Sequence, residues 1–187
     1  MRYPNSNKTY HKTVSYANRG MNLEELINDT NKYYLENNIA VVYKKPTPIG
    51  IVSVEEKNNT KIITRAFFKE PSTLDYIGLY NGKYIEFDAK QTLNKTSFPL
   101  SNLSSHQINH IRKIIDNHGI TFLIINMNKN YYLFSGKNLI NFIDTQSRKS
   151  IPFHIIKNEG LLIKNNNLII DYITEVKKLI GGTNEKN

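Results

Sequence analysis

The 187-residue chain contains no cysteine, which excludes disulfides, thiolate metal sites and a cysteine nucleophile. It has no run of about 18 apolar residues, so a membrane-spanning helix is not expected. The opening MRYPNSNKTYHK lacks the apolar stretch of a secretion signal, and a cytoplasmic location is the expectation. Tryptophan is missing as well. Even so, 12 Tyr and 8 Phe bring aromatics to 11% and all apolar residues to 39%, enough to bury a core and to argue against general disorder. The length suits one domain over 1–187.

The N-terminal segment also lacks acid. The first carboxylate is Glu24, and Arg2, Lys8, His11, Lys12 and Arg19 precede it without counter-charge. Residues 1–18 read as a mobile basic arm, with a merely disordered terminus as the alternative. Over the chain 25 Lys plus Arg stand against 16 Asp plus Glu, a net charge of +9, and nucleic acid leads the candidate partners. Asn, Ile and Lys dominate the composition, as an A/T-rich genome would produce on any protein. Where the charge sits therefore matters more than its total.

In MNLEELINDTNKYYLENN, Leu23, Leu26, Ile27, Thr30 and Tyr34 recur at helical spacing. After Asn38 the pattern turns to strands: IAVVYKK, IVSVEE and TKIITRAFFK. Pro46 and Pro48 bar a helix between the first two, and Lys57-Asn58-Asn59 supplies a turn. A hairpin over about 45–67 follows, along which Lys44, Lys45, Lys61, Arg65 and Lys69 face only Glu55 and Glu56. These cations are candidates for phosphate contact, and a solvated strand face is the plainer alternative. Further on, SSHQINHIRKIIDNHG predicts a helix with a serine cap, an Ile108/Ile111/Ile114/Ile115 stripe and an end at Gly119. TFLIIN has the length of a buried strand, YYLFS follows after Lys129-Asn130, 135–148 predicts a short helix, and IIDYITEVKKLI predicts an amphipathic one before a polar tail at 181–187. The alternation of helices and strands predicts an α/β fold.

The most informative stretch is EPSTLDYIGLYNGKYIEFDAK, where Asn81-Gly82 signals a two-residue hairpin turn. Such a turn fixes the register: Tyr80 faces Lys83, Asp75 faces Asp88, and Thr73 faces Lys90. One face then carries Thr73, Asp75, Glu86, Asp88 and Lys90, and the other carries Leu74, Tyr76, Ile85, Phe87 and Ala89. Two carboxylates across a ladder sit about 5 Å apart. Their repulsion is on the order of 3 kcal/mol at an effective dielectric near 20. A shared proton, a basic neighbour or a divalent cation would offset it. Hard oxygen ligands without cysteine favour Mg²⁺ over zinc. The alternative is that both acids splay into solvent at a sheet edge.

Asp75 followed by Asp88-Ala89-Lys90 resembles the PD-(D/E)xK nuclease core. A wider set of runs, Asn18-Arg19-Gly20-Met21, Lys44-Lys45-Pro46-Thr47-Pro48, Phe68-Lys69, Pro71-Ser72-Thr73, Asp75-Tyr76, Lys95-Thr96-Ser97-Phe98-Pro99-Leu100, His106-Gln107-Ile108 and Lys149-Ser150-Ile151-Pro152, resembles the RecU family of Holliday junction resolvases in order and over nearly the whole chain. The resemblance implies a restriction-endonuclease-like core with a central mixed sheet flanked by helices, plus a projecting β-hairpin stalk. It implies a homodimeric Mg²⁺-dependent endonuclease, with one or two ions per site, acting on four-way junction DNA in recombination and repair. The family's metal positions fall on Thr73, Asp75, Asp88 and Gln107, and its transition-state lysine falls on Lys90. Asp88 stands where the family pattern usually has Glu. Glu86 is a candidate supporting or substitute ligand, and Glu24 and Glu25 are candidates for a further carboxylate.

The stalk cations and Arg19 of the arm are the expected DNA contacts, and a recombinase or branch-migration helicase is a further candidate partner. His106, His110 and His118 share a helix, but without a supporting acid they read as surface or DNA-facing residues. Phe98-Pro99 fits either the mouth of the site or the core. Two rivals stand beside the resolvase reading: a non-catalytic basic nucleic-acid-binding module, and a restriction-like endonuclease of ordinary duplex.

Overall fold

The computed structural model describes residues 22–69, 73–165 and 169–181. The predicted basic arm with Arg19, and nearly all of the polar tail, lie outside them. Helix α1 (Leu23–Glu36) leads into β1 (Val41–Lys44), and the hairpin β2 (Ile49–Lys57) and β3 (Thr60–Phe68) follows. Then come β4 (Tyr76–Tyr80), β5 (Lys83–Gln91), the short β6 (Ser97–Pro99), α2 (Ser105–Asp116), β7 (Ile120–Met127) and β8 (Asn130–Ser135). The chain continues through α3 (Gly136–Thr145), β9 (Ser150–Pro152), α4 (Phe153–Glu159) and β10 (Leu161–Ile163) to α5 (Tyr172–Gly181). No helix of the described residues is long and apolar enough to cross a membrane.

Six strands form a mixed sheet in the order β1-β4-β5-β7-β8-β10. Only β5 and β7 run parallel, since the β6–α2 crossover joins them, and every other neighbour is antiparallel. Asn81 and Gly82 both adopt positive φ, 47° and 71°, as a two-residue hairpin turn requires. The register they set is the expected one, with Tyr80 opposite Lys83 and Tyr76 opposite Phe87. The β7–β8 turn falls on Asn128 and Lys129, both at positive φ, one residue earlier than expected.

Each face of the sheet is covered by helices. On one side Leu23, Leu26, Ile27 and Tyr34 of α1 and Tyr172, Ile173 and Val176 of α5 close over Tyr76, Ile85, Phe87, Phe122 and Ile124. Phe87 stacks between Tyr76 and Phe122 at 4.8 and 4.7 Å. On the other side Ile111 of α2, Leu139 and Phe142 of α3 and Ile156 of α4 meet Leu123, Ile125 and Phe134. Leu74 belongs to this second cluster rather than to the Tyr76 side. It precedes the first regular residue of β4, so strand alternation does not yet govern it. Phe98, fully buried opposite Ile151 in the small β6–β9 ladder, is core and not a lining of the site's mouth.

Among the described strands, β2 and β3 pair only with each other, turning at Asn58 and Asn59 with φ of 52° and 59°. Two compensating register shifts interrupt the ladder, one skipping Val52 on β2 and the next skipping Thr64 on β3. Every residue of the two strands except Gly50 and Ser53 is exposed, so the hairpin contributes almost nothing to either core.

Candidate active site

The site grows from the β4–β5 hairpin. Glu86, Asp88 and Lys90 alternate along β5 and so share a face. Asp75 stands just before β4, outside a ladder whose last regular pair is Tyr76 with Phe87, and its side chain hydrogen-bonds Asp88. Asp75 is also held from the other side, because its carbonyl accepts the backbone N–H of Lys45 at 2.7 Å. That contact continues the β1–β4 ladder, whose last regular pair is Lys44 with Tyr76.

Asp88 is wholly buried. Its Oδ2 accepts from Lys90 Nζ at 2.9 Å and from Gln107 Nε2 at 2.7 Å, while Oδ1 accepts from the Ala89 amide at 2.9 Å. Burial raises the carboxyl and Lys90 opposes, but Asp75 adds its own repulsion and hydrogen bond, leaving Asp88 pushed up to about 6. One lysine therefore does not neutralise the carboxylate pair, and a bound cation would relieve what remains.

Gln107 reaches Asp88 because of how α2 begins. Ser104 caps the helix, accepting from Gln107 N at 3.2 Å, and Gln107 Oε1 accepts from Ser104 N at 3.0 Å, a reciprocal capping box. This fixes the side chain at the helix start, where its remaining amide N–H groups meet β5. Thr73 is half-buried and lines, with Lys45, Leu74 and Asp75, a cleft of about 630 Å³.

Among the described residues no group of three or more His, Cys, Asp or Glu side chains is arranged to hold a metal. The set at hand is two carboxylates and a threonine, all offering oxygen, with the Gln107 amide N–H turned to Asp88 and its oxygen on the Ser104 amide. That suits Mg²⁺, which takes one or two carboxylates and keeps several waters, and does not suit the nitrogen- and sulfur-rich sites of zinc.

Glu86, the candidate supporting or substitute ligand, is engaged by the protein's own donors. Fully buried, it is surrounded by donors: Lys45 Nζ and the Leu74 amide, 3.2 Å away, on Oε1, His110 Nε2 at 2.9 Å on the same oxygen, and the Tyr84 hydroxyl on Oε2. Burial raises its carboxyl, but the Lys45 and Tyr84 hydrogen bonds and the charges of Lys45 and His110 outweigh burial and hold it below the ordinary range. His110 thus has an acid partner that the sequence reading did not supply, whereas His106 and His118 are exposed. Tyr84 stood two residues from Glu86 on the same strand face, and that spacing was the available signal. Lys45 was assigned to the hairpin, because the β1–β4 register cannot be read from sequence.

Lys44 lines the same cleft as Thr73 and Asp75 and pairs with Glu24 at 2.5 Å, while Glu25 accepts from Asn22 N to cap α1. Lys61, Arg65 and Lys69 are exposed on the hairpin and at its foot.

The family model described as Recombination protein U matches residues 18–178. The chain belongs to the RecU family. Among its relatives, the Holliday junction resolvase RecU of Oceanobacillus iheyensis is 48% identical over 171 residues, covering 88% of this chain and 87% of the relative. The protein of the same name from Bacillus cereus is 46% identical over 189 residues, covering 92% and 94%. That of Bacillus cytotoxicus is 45% identical over 190 residues, covering 93% and 95%. The match spans every RecU run quoted above and the whole of the described sheet, hairpin included.

Proposed function

We propose that this chain is a Holliday junction resolvase, an endonuclease that nicks two opposed strands of a four-way DNA junction in recombination and repair. Membership of the RecU family supports it, and the single structural observation that carries it is Asp88. A buried carboxylate facing Asp75, with Lys90 its one cationic partner among the described residues and a carboxyl lifted to about 6, is a site prepared for a divalent cation.

Asp75 and Asp88 would hold one or two Mg²⁺ ions, with Thr73 contributing a neutral oxygen and Gln107 acting through the carboxylate it holds. Bound Mg²⁺ supplies charge neutralisation at the phosphate and acidifies the attacking water. Lys90 is placed to orient that water or to face the negative charge gathering on the phosphoryl oxygens in the transition state. Gln107 fixes the direction of Asp88 through its capped helix.

The exposed hairpin is the stalk of this reading. It enters the junction centre, where Lys61, Arg65 and Lys69 contact phosphates without reading sequence, and Arg19 of the arm and Lys44 extend the contact. A twofold homodimer matches the two symmetric cleavage sites of a junction. The whole of 1–187 serves as one restriction-endonuclease-like nuclease domain working in the cytoplasm.

The test is cleavage of labelled four-way junction, duplex and single strand, each with Mg²⁺ and with EDTA. Paired symmetric nicks confined to the junction in Mg²⁺ are expected. Cleaved duplex would replace this reading with a restriction-like endonuclease, and intact DNA throughout with a non-catalytic binding module.

A further inference from the structure

Lys45 sits where the hairpin, the cleft and the carboxylates meet. It follows β1, precedes the stiff Pro46-Thr47-Pro48 joint into β2, and lines the cleft beside Thr73 and Asp75. Its backbone is fixed by the hydrogen bond to the Asp75 carbonyl, and its ammonium by Glu86. The exposures run outward. Glu86 is 0% exposed at its side chain, while Lys45 is 24% exposed and lines the cleft, so the carboxylate is hidden behind a lysine that faces the cleft.

This arrangement does more than bury a polar group. An ammonium has three donors and Glu86 occupies one, which leaves the others for an anion in the cleft. Glu86 also remains bonded to Tyr84, His110 and the Leu74 amide when Lys45 leans toward such an anion, so no buried acceptor is stranded. A flexible lysine held in place before binding loses less freedom when a phosphate arrives.

We propose that Lys45 contacts the DNA phosphate beside the one cleaved at the Asp75–Asp88 site, and that Glu86, backed by Tyr84 and His110, is its positioning residue and not a metal ligand. The inference rests on the nuclease reading above. It ties the root of the hairpin to Asp75 through a single residue, so that DNA gripped at Lys45 is in register with the carboxylates.

The experiment uses the full chain in EDTA and a set of four-way junctions, each carrying one uncharged methylphosphonate near the cleavage point. Binding is followed by fluorescence anisotropy. For the unaltered chain, one position should weaken binding by about tenfold, the loss of a charge-assisted contact. With Lys45→Met that penalty should fall below about twofold, because the contact is already gone, and Lys45→Arg should restore it. Glu86→Gln should leave a reduced penalty of about threefold while retaining the Mg²⁺-induced rise in Tm.

A penalty that persists at every position in Lys45→Met overturns the proposal. Loss of the Mg²⁺-induced Tm rise in Glu86→Gln but not in Lys45→Met also overturns it, by making Glu86 a ligand. If Glu86→Gln does not fold, Tyr84→Phe and Lys45→Met carry the same comparison. An unaltered chain that nicks no DNA in Mg²⁺ would end the nuclease reading, yet the pattern in EDTA would still decide whether Lys45 grips a phosphate.

Discussion

Gln107 and Asp88, separated by 19 positions in the chain, are joined by a 2.7 Å hydrogen bond from Nε2 to Oδ2. The glutamine oxygen is already committed to the Ser104 amide at 3.0 Å, so the same side chain caps a helix and aims a carboxylate. Direct ligation of a metal by this oxygen would cost the cap; holding Asp88 in place costs nothing.

Gln107→Ala removes both bonds. Stability should fall by about 1 kcal/mol, the usual value of a cap interaction. The Mg²⁺ concentration giving half-maximal nicking should rise by about tenfold, as for other residues that orient a ligand. Junction affinity in EDTA should not change. A Mg²⁺ titration of the nicking rate beside thermal melting checks this, and an unaltered half-saturation would rule out the orienting role.

The two buried acids of β5 should give opposite dependences of stability on pH. Asp88 has a folded value near 6 against an ordinary 3.8, so between those values the folded chain holds a proton that the unfolded chain has lost. Its stabilising contribution is full below the ordinary value and disappears as pH rises through about 6. Glu86 is held low, so its contribution is present above its unfolded value and is lost as pH falls through the folded one. In EDTA at pH 7, Asp88→Asn should therefore be more stable than the unaltered chain, by up to about 3 kcal/mol, and the gain should shrink toward pH 4. Urea unfolding at the two pH values measures the difference. The same variant should no longer nick junctions in Mg²⁺.

Much of this site was legible in one segment of sequence. Asn81-Gly82 allows one short turn, that turn fixes the pairing as far as Tyr76 with Phe87, and Asp75, one residue beyond it, meets Asp88, which also holds Lys90. The stripe on α1 was equally plain, since Leu23, Leu26, Ile27, Thr30 and Tyr34 are all buried. What stayed hidden depends on non-local register. Lys45 meets Asp75 and Glu86 only because β1 adds to the far edge of β4, and His110 meets Glu86 only because the crossover lays α2 over β5. No local pattern encodes either contact. Leu74 was misplaced for a related reason: alternation was extended past the point where the strand begins.

Arg65 and Lys61 are exposed on β3, remote from both cores, so removing them should leave the melting temperature unchanged. Arg65→Ala should lower the slope of log affinity against log salt by about 1, the release of roughly one counterion, and Lys61→Ala should act alike. Binding isotherms on a four-way junction across a salt series supply the slopes. An unchanged slope in both variants would remove the hairpin from the DNA interface.

Gly78 is where the edge strand bears on the active site. A Cβ there would stand 2.4 Å from the Val41 carbonyl oxygen and 2.7 Å from Val42 Cγ2, contacts that backbone cannot absorb without moving. Gly78→Ala should push β1 away from β4 and cost about 1–3 kcal/mol, as overpacking does elsewhere. The displacement should not remain local, because Lys45 follows directly on β1 and supplies the hydrogen bond that holds the Asp75 carbonyl. Nicking at saturating junction and Mg²⁺ should fall at a temperature where melting shows the variant still folded. Gly82→Ala is the control: it meets nothing within 4 Å and is strained only by its φ of 71°, in a turn at the far end of β4 from Asp75. It should lose stability while its folded fraction nicks normally. Equal activity losses in both variants would show that β1 does not position Asp75.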